Sequence, residues 1–159
     1  MSETITIQGN TKEEQYQSLL PQITALVLSE TDGIANMANM CAVLKFSFNF
    51  LWVGFYLVKD KQLVLGPFQG PVACTRINYG KGVCGTAWQK NETIIVDDVD
   101  DFPGHIACSS LSKSEIVIPI LNKNNECVAV LDIDSEHYAH FDKTDELYLK
   151  QIVNLLTDL

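Results

Sequence analysis

The chain has 159 residues, 47% of them hydrophobic and 19% charged, which is ample material for the core of one domain of common size. Eleven Lys plus Arg stand against twenty Asp plus Glu, and the formal net charge of -9 repels nucleic acid phosphates and anionic lipid heads alike. No apolar run approaches the roughly 18 residues of a membrane span, and "MSETITIQGN" has neither a basic region nor an apolar stretch for export, so a cytoplasmic protein without nucleic acid or membrane partners is expected.

Residues 1–10 are expected to be flexible or loosely packed, ahead of a single domain that fills the rest of 1–159. From Thr11 to Glu30 the residues Tyr16, Leu19, Leu20, Ile23, Leu26 and Val27 recur at helical spacing, with Pro21 expected to kink or split the helix. After "TDG", Ile34, Met37, Cys41, Leu44 and Phe48 mark a second helix and place Cys41 in the core. "FLWVGFYLV" and "QLVLGPF", joined by "KDK", then read as a β-hairpin.

Residues 66–110 hold most of the Gly and Pro and read as loops, broken by a short helix around "GTAWQK" and a short strand "TIIV". Long ordered loops on a scaffold often carry function. "EIVIPIL" and "CVAVLDI" form a second hairpin around "NKNNE", and a helix with Leu147, Leu149, Ile152, Val153 and Leu156 follows. Helices at both ends of hairpin-connected strands imply an α+β domain, an antiparallel sheet sandwiched or flanked by helices.

Alternation along the last strand puts Val128, Val130, Asp132 and Asp134 on one face. A hairpin closed by two or four residues sets Val117 opposite Asp132 and Glu115 opposite Asp134, whereas an odd loop does not. Three carboxyl groups on one small surface need a cation between them or a retained proton. The first suits an ammonium ligand and the second suits proton donation to a leaving oxygen. The plain alternative is a solvated sheet edge.

Five cysteines in a reducing compartment are expected to be thiols, so a disulfide among them would be transient and catalytic. Cys74, Cys84 and Cys108 lie in the loop-rich middle, apart from Cys41 and Cys127 on predicted helix and strand. His105, Cys108, Cys74 and Cys84 could supply four zinc ligands, yet no C-x-x-C pair is present and the spacing matches no finger or ribbon. A redox thiol with a second cysteine in reach fits loops better, with His105 available to a Cys108 thiolate, while small core cysteines remain the bland reading. His137 and His140 sit in a polar stretch without an assigned role. Trp52 and Tyr56 share a strand face with Gly54, and aromatics beside carboxylates suit a small cationic or methyl-bearing ligand.

"NFLWVGFY", "LGPFQGPVACTRI", "GKGVCGTAW", "FPGHIAC", "SEIVIPI" and "LDIDS" together resemble the free methionine-(R)-sulfoxide reductases, which are stand-alone GAF domains, in register from about residue 12 onward. The resemblance implies a six-stranded antiparallel sheet between helices and reduction of free methionine (R)-sulfoxide to methionine. Cys108 matches the catalytic cysteine, Cys74 the resolving one and Cys84 an auxiliary one, while Trp52, Tyr56, Glu115, Asp132 and Asp134 match substrate-pocket positions. It further implies a cysteine sulfenic acid, an intramolecular disulfide recycled by thioredoxin with NADPH as the indirect reductant, no bound cofactor or metal, and a role against oxidative stress. A homodimer paired through terminal helices is compatible with it. Ser109 departs from the family pattern, which has an acidic residue after the catalytic cysteine. The alternative reading is a non-catalytic GAF sensor of a small ligand or of redox state.

Overall fold

The computed structural model describes residues 4–106 and 109–156, so Cys108 lies outside the described residues. The first helix, α1 (Lys12–Leu28), starts at Thr11, whose hydroxyl accepts the Glu14 N–H while the Glu14 carboxylate takes the N–H groups of Asn10 and Thr11. It runs unbroken through Pro21, contrary to the expected split. Pro21 and Gln17, four residues earlier, are both exposed, so the carbonyl that loses its donor can be hydrated. The neighbouring carbonyls of Ser18 and Leu20 take side-chain donors from Gln22 and Thr24.

Asp32 caps α2 (Gly33–Phe48) by accepting the Ala35 N–H at 2.9 Å, and left-handed Asn49 ends it. Met37, Cys41 and Leu44 of the expected stripe are buried, Met40 joins them, and Ile34 is turned out. Cys41 is a core thiol whose pKa burial pushes up to about 12.

Six strands follow: β1 (Trp52–Lys59), β2 (Gln62–Gln69), β3 (Arg76–Asn78), β4 (Ile94–Val96), β5 (Ser114–Leu121) and β6 (Cys127–Ser135). They form one sheet in the order β3-β2-β1-β6-β5-β4, with every pair antiparallel. The helix α3 (Gly82–Lys90) packs on one face, and α1, α2 and α4 (Lys143–Val153) cover the other. This is the α+β sandwich expected from the sequence, with the layers unequal in thickness.

Alternation divides the sheet into two chemistries. Val53, Phe55, Ile116, Ile118, Leu131 and Ile133 turn to the core under α1, α2 and α4. Trp52, Tyr56, Val117 and Val130 turn to α3, where Val83, Cys84 and Ala87 meet them. Asp60 and Lys61, both at positive φ, make the first hairpin a two-residue turn of the kind that follows strand twist.

The second hairpin reaches the expected register by an unexpected route. Leu121 pairs with Cys127 around the five residues 122–126, an odd number, but Ile120 pairs with Ala129, so Val128 is the extra residue of a bulge. Two odd counts cancel, and Glu115 opposes Asp134 while Val117 opposes Asp132. Val128 itself leaves the face of Val130 and packs with the thick core. In α4, Leu147 is exposed and Tyr148 takes the inward position, stacked on Tyr16 with ring centroids 5.2 Å apart.

Candidate active site

The central strands assemble the floor of a pocket. Trp52, Asp134 and Glu115 stand in one cross-strand row on β1, β6 and β5, and Gly54, Asp132 and Val117 stand in the next. Gly54 has a steric reason: a Cβ there would fall 2.1 Å from the Trp52 ring and 2.6 Å from Phe68 Cβ. The indole therefore lies over the strand, stacked on Phe68 at 5.4 Å and held by its Nε1–H donating to the Pro71 carbonyl at 3.0 Å. Tyr56 extends the aromatic shelf, and its hydroxyl donates to the Cys74 carbonyl at 2.9 Å. Both aromatic polar handles are thus spent on the 71–74 loop, which they tie to the sheet.

The roof comes from elsewhere in the chain. Gly82, Val83 and Cys84 at the start of α3, Pro71 to Ala73, His105, Ile106, Ser109 and Ser112 close a pocket of about 600 Å³, its mouth included. Cys84 is buried beneath it, its Sγ 4.0 Å from Glu115 Oε1, and His105 Nε2 lies 3.8 Å from Glu115 Oε2.

The three carboxyl groups share this pocket, and among the described residues none of them forms an ion pair with lysine or arginine. Burial, then the charges of Asp132 and Asp134, raise the pKa of Glu115 well above the usual carboxylate range. Burial and the Asp134 charge do the same to Asp132. Asp134 accepts a short hydrogen bond from the Ser112 hydroxyl, and burial raises its pKa only to about 6. Burial and like charge thus favour a retained proton on Glu115 more strongly than on Asp134. Burial likewise pushes the Cys84 thiol far up, with the Asp132 charge next, so Cys84 is no thiolate in this state.

Asp132 Oδ1 is buried without a hydrogen-bond partner among the described residues. Cys84 Sγ and oxygens of Glu115 and Asp132 lie within 4.8 Å of one another, the one cluster of metal-ligating atoms among the described residues. It is not the histidine and cysteine set read from the sequence. Cys74 is disulfide-bonded, whereas Cys41, Cys84 and Cys127 are free.

Trp52, Tyr56, Cys84, Glu115, Asp132 and Asp134 thus meet in one pocket, with Cys74 in the loop that Tyr56 holds, while Cys108 falls outside the described residues. Sequence reasoning missed Ser112, which fixes Asp134, and the contact of His105 with Glu115. Both sit on irregular backbone, where no periodicity tells which way a side chain points. The alternation of "SKSE" could have drawn attention to Ser112 only once its loop geometry was known.

The family of the GAF domain matches residues 38–159. The chain is 59% identical over 157 residues to GAF domain-containing protein A of Dictyostelium discoideum, covering 98% of this chain and 99% of that one. It is 47% identical over 143 residues to the free methionine-R-sulfoxide reductase of Escherichia coli, covering 89% and 86%. The X-ray structure of free methionine-R-sulfoxide reductase from Neisseria meningitidis in complex with its substrate superposes with a TM-score of 0.93 at 54% identity, over 96% of this chain and 92% of that one.

Proposed function

Since this chain belongs to the GAF-domain family of free methionine-R-sulfoxide reductases, we propose that it reduces free methionine (R)-sulfoxide to methionine and that the pocket under Trp52 is where it does so. The observation that carries the reading is the convergence of Trp52, Glu115, Asp132 and Asp134 from adjacent strands on one pocket. Burial and like charge favour a proton on Glu115, which a sulfoxide oxygen can take, and the smaller rise at Asp134 leaves it the better group to meet an ammonium with charge.

In this reading the Cys108 thiolate attacks the sulfoxide sulfur while Glu115 delivers its proton to the oxygen. In the resulting adduct the hydroxyl passes from the substrate sulfur to Cys108 Sγ: the substrate S–O bond and the new S–S bond break, their electron pair stays on the departing methionine sulfur, and Cys108 is left oxidised to a sulfenic acid. A second thiol condenses with it, giving a disulfide and water. Cys74 fits this resolving role better than Cys84, because it is the disulfide-bonded cysteine among those described and Cys84 is a buried free thiol. Thioredoxin, recharged by NADPH, returns the pair to thiols by exchange.

Asp132 and Asp134 hold the substrate ammonium, and an arriving cation would lift the penalty now borne by the unpartnered Asp132 oxygen. That explains a preference for the free amino acid: a methionine sulfoxide inside a peptide has an amide in place of the ammonium. Trp52 packs the S-methyl end. The test is coupled turnover with thioredoxin, its reductase and NADPH. Free methionine (R)-sulfoxide should consume NADPH, the S form and peptide sulfoxides hardly at all, and Cys108→Ser should lose at least about three orders of magnitude in kcat/KM. Binding of the sulfoxide without any turnover would instead favour a GAF sensor.

A further inference from the structure

We propose that Cys84, Glu115 and Asp132 also form a site for a thiophilic divalent cation, zinc above all, and that the bound ion shuts the pocket to the sulfoxide. Cys84 stands on the first turn of α3, and Glu115 and Asp132 stand on the adjacent strands β5 and β6, so no ligand depends on a loop. The three donor atoms lie within 4.8 Å of one another, with Sγ 4.0 Å from Glu115 Oε1. Tetrahedral zinc, with sulfur at about 2.3 Å and oxygen at about 2.0–2.2 Å, spaces those two atoms by about 3.6 Å, so side-chain adjustment alone closes the site.

The independent pointer to a ligand is Asp132 Oδ1. It belongs to a residue only 7% exposed, and it has no hydrogen-bond partner among the described residues, so a group bound here would satisfy it. The donor set selects the ion. One sulfur and two carboxylates suit zinc or cadmium, whereas magnesium and calcium call for more oxygen donors and gain little from a thiol. As the ion binds, the Cys84 thiol gives its proton to solvent, as do the carboxyl groups that hold one. No electron moves, and a tetrahedral ion on these three donors keeps a fourth position for water.

Metal binding stands on these atoms alone, but its competition with the sulfoxide rests on the preceding reading, in which Glu115 and Asp132 serve the substrate. The direct test is to titrate the reduced, chelator-treated full chain with Co²⁺ and follow thiolate-to-cobalt charge transfer in the near ultraviolet. One equivalent should give the band, and Zn²⁺ should bleach it. Cys84→Ser should abolish the band, and Asp132→Asn should weaken cobalt binding about tenfold or more while keeping the band at saturation. Asp145→Asn, a buried aspartate across the sheet from the cluster, should leave cobalt affinity within about threefold.

Zn²⁺ should also raise the melting temperature of the wild type, and that of Asp132→Asn by less at the same concentration, a readout independent of how Cys84→Ser folds. In turnover, Zn²⁺ should raise the apparent KM for the sulfoxide without lowering kcat. A band that survives in Cys84→Ser, placing the thiolate on another cysteine, would overturn the site, as would a wild type that gives no band. Cobalt binding as described, in a protein that reduces no sulfoxide, would overturn the functional reading and leave the metal site standing.

Discussion

Two aspartates of this protein are about equally buried and live in opposite circumstances. Asp145, 1% exposed in the seam between α1 and α4, accepts from the Tyr16 hydroxyl at 2.8 Å and from the Asp142 N–H at 2.9 Å, and it pairs with the Lys12 ammonium. Asp132, 7% exposed on the α3 side of the sheet, leaves one oxygen without a partner among the described residues. Burial alone therefore does not mark a functional carboxylate. A buried acid whose oxygens are all engaged holds elements together, and one left half-engaged beside other acids can serve a visitor.

The same contrast appears in protonation. Burial opposes the Lys12 charge, yet hydrogen bonds and charge from Asp145 and Asp142 outweigh it and raise its pKa. In the pocket, burial and like charge act together, and the acids of Glu115 and Asp132 rise instead. Glu115→Gln breaks the comparison most severely: it keeps shape and removes the group proposed to donate the proton. kcat should fall by about 10²–10⁴, while thermal stability holds or rises, since a buried ionisable group has been replaced by a neutral one. An unchanged kcat, measured in the coupled assay, would remove Glu115 from the proton-transfer role.

The seam should respond the other way. Asp145→Ala strips Tyr16 and Lys12 of a shared partner and should lower unfolding free energy by about 2–3 kcal/mol, below the fully buried range because Lys12 is partly solvated. KM for the sulfoxide should stay put, as the seam lies across the sheet from the pocket. Denaturant melts beside turnover on the same sample decide it, and a shifted KM with unchanged stability would erase the distinction drawn between the two aspartates.

Asp134 offers a finer test through pH. Its pKa in the fold is about 6, above the ordinary 3.8, so the folded state binds this proton more tightly than the unfolded chain. Its contribution to stability is therefore complete below the ordinary value and is lost as pH rises through about 6. Substrate binding should run oppositely: once ionised, Asp134 holds the ammonium, and KM should fall as pH rises from about 5 to 7. Asp134→Asn should raise KM by about tenfold to a hundredfold, leave kcat nearly untouched and flatten that pH dependence. A KM that ignores pH in the wild type would deny Asp134 the ammonium.

Much of this site could be read from the order of residues, because strands impose a period of two. The alternation of "LDIDS" and "SEIVIPI" placed Glu115, Asp132 and Asp134 on one face, and the register agreed even though a five-residue loop and a bulge at Val128 replaced the simple turn. Core demand explains that agreement: a slip by one residue would have turned Ile116, Ile118, Leu131 and Ile133 out of the thick core. Loops carry no such constraint. Ser112 reaching Asp134, His105 reaching Glu115 and Cys84 lying under the acids all depend on how irregular backbone and one short helix are laid across the sheet, which no local pattern encodes.

Ser109, where the family pattern has an acid, supplies the smallest test, and it bears on how far the rim shares the chemistry of the floor. Its hydroxyl accepts the Leu111 N–H at 3.2 Å, a local turn that an aspartate side chain makes equally well. An acid at the pocket rim would add charge near three carboxyl groups, but water screens it there far more than it screens the buried row. The turn is thus kept, and the screened charge raises the acids only a little further. Ser109→Asp should accordingly leave kcat/KM within about twofold, the scale of an ordinary surface substitution. A tenfold change in either direction would mean that the residue after Cys108 acts on the buried row directly, and that rim and floor form a single electrostatic unit.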